Sequence, residues 1–225
     1  MASLPLDKEA ARTCNVTGDL SIQLVEIPYR ASFPKCSRCG EGDYWNISWP
    51  AGLALSRYLV GGFPSKKLNG HRVLVIGCGV GLEGLVLAKL GAIVSVLDHI
   101  PDALHLFYRN CLLNEIEPFE TICCCWRDSK KIRKIGKYDL LVGSDVLYNP
   151  GDANFNCIKS LLTTTLKSGG IALFADPDRS GVEDFFRLLA KSEFRVKSHW
   201  ANSRWASRNE RIRIYRVERL RVNNR

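Results

Sequence analysis

The 225-residue chain has little that would place it in a membrane or on an export route. No apolar stretch approaches the ~18 residues that span a bilayer. The start, MASLPLDKEAARTCNV, has no apolar signal core, and two acidic residues beside one arginine argue against a transit peptide. These absences predict a cytoplasmic protein that does not enter a membrane. Repeats and low-complexity segments are missing, which excludes solenoids and fibrous folds. No Walker lysine follows the glycine-rich stretch, so a nucleoside triphosphate is not its expected ligand. Three of the four histidines, His99, His105 and His199, show no spacing of note. Cys36-Ser-Arg-Cys39 is one CxxC pair, but neither a second pair nor an HxxxH follows it. The expectation is therefore no metal, because zinc takes about four ligands.

What is present is globular. Hydrophobic residues make up 46% and charged residues 24%, the balance of one domain with a sizeable core. Nine cysteines, an odd number in a long chain, fit a reducing compartment better than a disulfide scaffold. Cys123, Cys124 and Cys125 fall in an apolar run and read as small strand residues. The net charge of +9 is unevenly placed. Residues 187–225 hold 12 Lys/Arg and 3 Asp/Glu, whereas the rest of the chain balances at 20 of each. A basic segment of this kind attracts acidic partners, a protein face or nucleic acid.

Strands and helices alternate after residue 50. Helices are predicted over 51–60, 82–91, 101–115, 154–170 and 182–192, from apolar spacing, prolines at first turns and closing glycines. Strands are predicted over 71–77, 93–98, 119–126, 138–145 and 171–176, followed by 194–200 and 211–219. One strand-like piece, SIQLVEI, lies earlier at 21–27. Alternation of this kind implies an α/β fold with a parallel sheet covered on both faces. The last two strands have no helix between them and should pair as a hairpin, with one running antiparallel at the sheet edge. Ligands of such sheets bind beyond the carboxyl ends of the strands. That groups Gly77–Gly81, Asp98 and Asp145 around one crevice.

VLVIGCGVGLEG (73–84) carries the strongest signal. Gly77, Gly79 and Gly81 follow a strand and open a helix, allowing a tight turn and close approach to a ligand. Asp98 ends the next strand, where a carboxylate can accept from both ribose hydroxyls. The spacing GxGxG differs from the GxGxxG of pyrophosphate sites, although Gly79 to Gly84 fits the latter. The loop alone therefore leaves NAD and S-adenosylmethionine both open.

With the acid after the second strand and the final hairpin, the GxGxG loop resembles class I S-adenosylmethionine-dependent methyltransferases. Tyr44-Trp45-Asn-Ile-Ser-Trp49-Pro50 with the following helix resembles the tryptophan-proline entry helix of the family-16 methyltransferases. Asp145-Val-Leu-Tyr148 resembles their acid-x-x-tyrosine motif. Asp176-Pro-Asp178-Arg179 resembles the Asp-Pro-Gly-Arg segment of the branch containing the electron-transfer-flavoprotein beta-subunit lysine methyltransferase. The resemblance spans about residues 40–200. It implies a Rossmann-like seven-stranded sheet, mostly parallel with one antiparallel strand in a C-terminal hairpin, over residues 45–225, preceded by an extension over 1–44.

It also implies S-adenosyl-L-methionine as cofactor. Gly77, Gly79 and Gly81 are then expected to cradle its methionine and ribose parts, Asp98 the ribose and Trp126 the adenine. Trp49 and Ser144 are expected at its binding site too. Asp145 and Tyr148 are the expected catalytic pair, orienting an amine for in-line methyl transfer. Asp176 and Arg179 are expected at the substrate mouth, or in a loop salt bridge. Two departures stand out: Val75 replaces an acidic residue usual in the family, and Asp178 replaces a glycine. The favoured substrate is a protein lysine, with an acidic face expected to meet the basic C-terminal segment. A nucleic-acid or small-molecule N-methyltransferase ranks second, and a non-catalytic interaction protein on the same fold third.

Overall fold

Side chains of a strand alternate between the two faces of its sheet, and here both faces are apolar. In a computed structural model of the chain, Val73 and Val75 of β3 (Arg72–Ile76) enter one core while Leu74 and Ile76 enter the other. The same division runs through β6 (Tyr138–Ser144), where Leu140 and Val142 oppose Leu141. The structure describes residues 10–27, 35–36, 39, 44–64, 68–117, 119–148, 151–205 and 208–221.

Seven strands form the main sheet in the order β5-β4-β3-β6-β7-β9-β8. They include β4 (Ile93–Asp98), β5 (Glu120–Cys123), β7 (Leu166–Asp176), β8 (Phe194–Trp205) and β9 (Arg208–Arg219). β5, β4, β3, β6 and β7 run parallel, and β9 is antiparallel to both β7 and β8. The antiparallel strand of the hairpin is therefore one place in from the edge, not at it. β9 contributes Ile212 and Ile214 to one core and Tyr215 and Val217 to the other. A strand with buried apolar residues on both faces fits inside the sheet, and the more exposed β8 takes the rim.

Helices α1 (Pro50–Arg57), α2 (Leu82–Lys89) and α3 (Pro101–Leu113) cover one face. Helices α4 (Ser129–Ile132), α5 (Asp152–Thr165) and α6 (Val182–Ala190) cover the other. In α6 the buried set Val182, Phe185, Phe186 and Leu189 follows helical spacing, and Phe186 stacks on Tyr215 at 3.6 Å. Two boundaries differ from expectation. α5 ends at Thr165 rather than at the glycines, after three β-branched threonines, and β7 begins at Leu166. α1 passes into a π-helical turn over Tyr58–Gly62.

β1 (Ala10–Asn15) and β2 (Ser21–Glu26) form a separate antiparallel hairpin. β1 had no counterpart in the sequence reading. Cys14, Val16, Ile22, Leu24 and Ile27 pack into the α1–α3 core. The open edge of β2 is satisfied by side chains: Asn110 of α3 and Asn114 at its C-cap accept from Val25 N at 2.7 Å and Gln23 N at 2.8 Å. Glu26 then accepts from Ser48 N at 2.7 Å, and Asn46 donates to Ile27 O at 2.6 Å. The hairpin thereby braces residues 44–49, which form one wall of the cavity described next.

Candidate active site

β3, β4 and β6 end at the same rim of the sheet, where the connections after β3 and β6 leave toward opposite sides. A crevice opens at such a reversal. It is a cavity of about 360 Å³ lined by Trp49, Gly77, Gly79, Asp98, Trp126, Ser144, Asp145 and Tyr148, eight of the nine predicted site residues. Gly81 is the exception and lies outside the lining. Its φ is +90°, and a Cβ there would come 2.1 Å from the Phe107 ring. That position needs glycine so that the turn can pack on α3.

The β4 wall is fixed by backbone hydrogen bonds. Asp98 is 3% exposed, and its carboxylate accepts from Gly79 N at 3.1 Å and Ile100 N at 3.0 Å. Burial pushes its pKa up, partly offset by these amides and by His99. Each oxygen keeps lone-pair capacity for a further donor. Trp126 stands beside Gly77, its indole N–H donating to Asn154 of α5 at 2.8 Å. On the entry side Trp49 donates to Tyr44 O at 2.8 Å, and Tyr44 meets the rings of Trp49 and Tyr148 edge-on at 5.9 and 5.7 Å.

The β6 wall is held by charges instead. Asp145 adopts φ +54°, a left-handed conformation of the kind that clusters at functional sites. Its backbone N donates to Ala175 O at 2.9 Å, and its Oδ1 meets Arg179 at 2.6 Å. Arg179 also binds Asp176 at 2.8 Å, so one guanidinium joins two carboxylates from neighbouring strand ends. Burial raises the pKa of Asp145 to about 6, with the Arg179 charge opposing the rise. Asp178 has φ +62°, which explains why a glycine suits that position, and it meets Arg213 of β9 at 3.3 Å.

Glu83 was missed by the sequence reading. It is 6% exposed in the first turn of α2, lines the cavity and accepts a hydrogen bond from Ser144 Oγ. It has no cationic partner among the described residues, and burial pushes its pKa up. A lone acid in the apolar pattern LEGLVLAKLG was the available signal. Val75, where the family usually has an acid, is 2% exposed in the core and does not line the cavity. Gly52 leaves room for the Glu83–Ser144 pair, since a Cβ there would lie 3.1 Å from Glu83 Oε1. Glu83, Asp98 and Asp145 thus face one cavity in which Arg179 pairs with Asp145 alone of the three, a set suited to a ligand carrying positive charge.

The sequence pattern of a family described as "Lysine methyltransferase" matches residues 40–192. The chain belongs to this family. It is 34% identical over 130 residues to the histone-arginine methyltransferase METTL23 of Xenopus laevis, covering 56% of this chain and 53% of that protein. Over 168 residues it is 32% identical to the electron transfer flavoprotein beta subunit lysine methyltransferase of Danio rerio, covering 71% and 62%. It is also 32% identical over 150 residues to the histidine protein methyltransferase 1 homolog of Dictyostelium discoideum, covering 63% and 47%. The chain spans about half the length of the first of these relatives. The fold is shared with the S-adenosylmethionine-dependent methyltransferase of Agrobacterium tumefaciens, at TM-score 0.64 and 14% identity, covering 96% of this chain and 72% of that one. The magnesium protoporphyrin IX methyltransferase of Synechocystis with bound cofactor aligns at TM-score 0.57 and 19% identity, covering 73% and 77%. In this methyltransferase family member, no helix among the described residues is long and apolar enough to cross a membrane.

Proposed function

We propose that the protein is an S-adenosyl-L-methionine-dependent N-methyltransferase acting on lysine side chains of a protein substrate. The observation that carries this reading is the acidic cavity at the glycine loop, with Asp145 at the end of β6. The residues fit the cofactor: the acidic lining suits its net positive charge, Asp98 is a ribose acceptor, and Trp126 offers a ring for the adenine. S-adenosylmethionine supplies an electrophilic methyl group when bound. Gly77 and Gly79 would keep the loop close to the ligand, and Glu83, steadied by Ser144, would hold the amino-acid ammonium in place of the acid absent at position 75. Trp49 closes the entry side.

The amine must reach the methyl group with its lone pair free, so a lysine first gives its extra proton to solvent. Asp145 Oδ1 is engaged by Arg179, and Oδ2 is left to accept an N–H of the amine and aim its lone pair. Tyr148, at the aromatic rim, closes the amine side against water. Alignment of this kind supplies most of the acceleration. The substrate's face is acidic and meets the basic β8–β9 edge, where Arg211 and Arg213 sit over the exposed Trp200 ring at 4.2 and 5.3 Å. The cysteines, all thiols, fit a cytoplasmic location.

Radiolabelled methyl transfer to lysate proteins, followed by hydrolysis and amino-acid analysis, tests the reading. Label in methyl-lysine that is lost with Asp145→Asn supports it. The same basic edge favours nucleic acid as the second reading, and label removed by nuclease would establish that one instead.

A further inference from the structure

A CxxC pair and a cysteine far along the chain meet beside the cavity. The sulfurs of Cys36, Cys39 and Cys125 all lie within 4.8 Å of one another, Cys125 buried and the other two half-buried. The Cys125 thiol is hydrogen-bonded to both partners. The sequence shows one CxxC pair without a second; folding supplies the missing sulfur from the end of β5. Cys124 N donates to Asp98 O at 2.8 Å just past β5, and a turn closed by Asp128 N on Cys125 O follows. Cys124 and Trp126 enter the core, and Cys125 meets the CxxC pair.

We propose that Cys36, Cys39 and Cys125 bind a divalent zinc ion that ties the segment before Tyr44 to the strand end carrying Trp126. Three convergent sulfurs suit a soft, tetrahedral ion rather than a hard one. A tetrahedral zinc with bonds of about 2.3 Å sets its sulfurs about 3.8 Å apart, within the 4.8 Å spread of the cluster. The CxxC spacing is the usual one for two ligands of such a site. Cys123, exposed at the end of β5, is not one of the clustered sulfurs, so a water completes the sphere. Each thiol gives up its proton to solvent on binding, so occupancy falls with acid. Cys39 precedes Tyr44 and Cys125 precedes Trp126, so the ion joins two walls of the cavity without touching the reacting atoms. This inference goes beyond the methyltransferase reading and does not depend on it.

The full chain, purified without chelator, should carry about one zinc per molecule. Chelation followed by refilling with cobalt(II) should give the visible bands of a tetrahedral site together with a near-ultraviolet sulfur-to-cobalt band. Cys36→Ser and Cys125→Ser should lose both, whereas Cys157→Ser, outside the cluster, should keep them. A wild-type chain that arrives metal-free and gives no sulfur-to-cobalt band would overturn the proposal, with no variant needed. So would a disulfide linking two of the three sulfurs in freshly purified protein, or cobalt spectra unchanged in Cys36→Ser and Cys125→Ser.

Discussion

Asp98 and Asp145 face one cavity from the two strands that flank β3, and their surroundings differ in kind. Asp98 is fixed by two backbone amides, Ile100 of its own turn and Gly79 of the glycine loop after β3. Asp145 is placed by a left-handed backbone and by Arg179, a side chain from beyond β7 that also answers to Asp176. Backbone hydrogen bonds hold a group still whether or not a ligand arrives. An ion pair across a half-buried rim can be shared with an incoming cation. Under the proposed function, the difference gives binding to the β4 wall and chemistry to the β6 wall, in one pocket.

Substitutions should separate the two walls. The largest effect is expected from Asp145→Asn, which keeps the left-handed backbone because asparagine tolerates it. Methyl transfer should fall about 10²-fold or more through lost alignment, while S-adenosylhomocysteine affinity stays within about twofold. Parallel loss of affinity would break the division. Asp98→Ala should do the reverse, weakening S-adenosylhomocysteine about 10²-fold through two lost charge-assisted hydrogen bonds. Calorimetry of that variant is the check.

Glu83→Gln is expected to cost roughly tenfold in affinity for the same ligand. Methylthioadenosine, which lacks the ammonium, should bind wild type and variant alike. Equal weakening of both ligands would show that Glu83 shapes the loop rather than holding that group.

The smallest effect sharpens the β6 wall through pH. The Asp145 pKa is raised to about 6, and the form that accepts an amine N–H is the ionised one. The rate at saturating substrate should therefore decline as the pH falls through about 6. The Asp145→Asn variant should lack that limb. A limb that persists in the variant would assign it to another group.

The β4 wall was legible in the sequence because its determinants are local. The glycines, the strand ends and Asp98 lie within a few residues of the backbone they organise. Gly81 was read as ligand-binding because a glycine motif does not tell a ligand from a neighbouring ring, here Phe107. The β6 wall was legible in part: Asp145 followed from its strand end, but its tie to Arg179 depends on how two loops meet. Glu83 was hidden because an acid in a helix usually faces water, and α2 is buried on all sides near its start. The third sulfur of the cysteine cluster was hidden by distance along the chain. β9 is inside the sheet because it buries apolar residues on both faces, a property that pairing rules alone do not reveal.

The most direct measurement is calorimetric titration of the purified chain with S-adenosylhomocysteine, with NAD as control and Asp145→Asn alongside. The account predicts micromolar binding of S-adenosylhomocysteine to both proteins and no binding of NAD. Absence of S-adenosylhomocysteine binding to the wild-type chain would contradict it, and would leave the acidic cavity without the ligand that its residues fit.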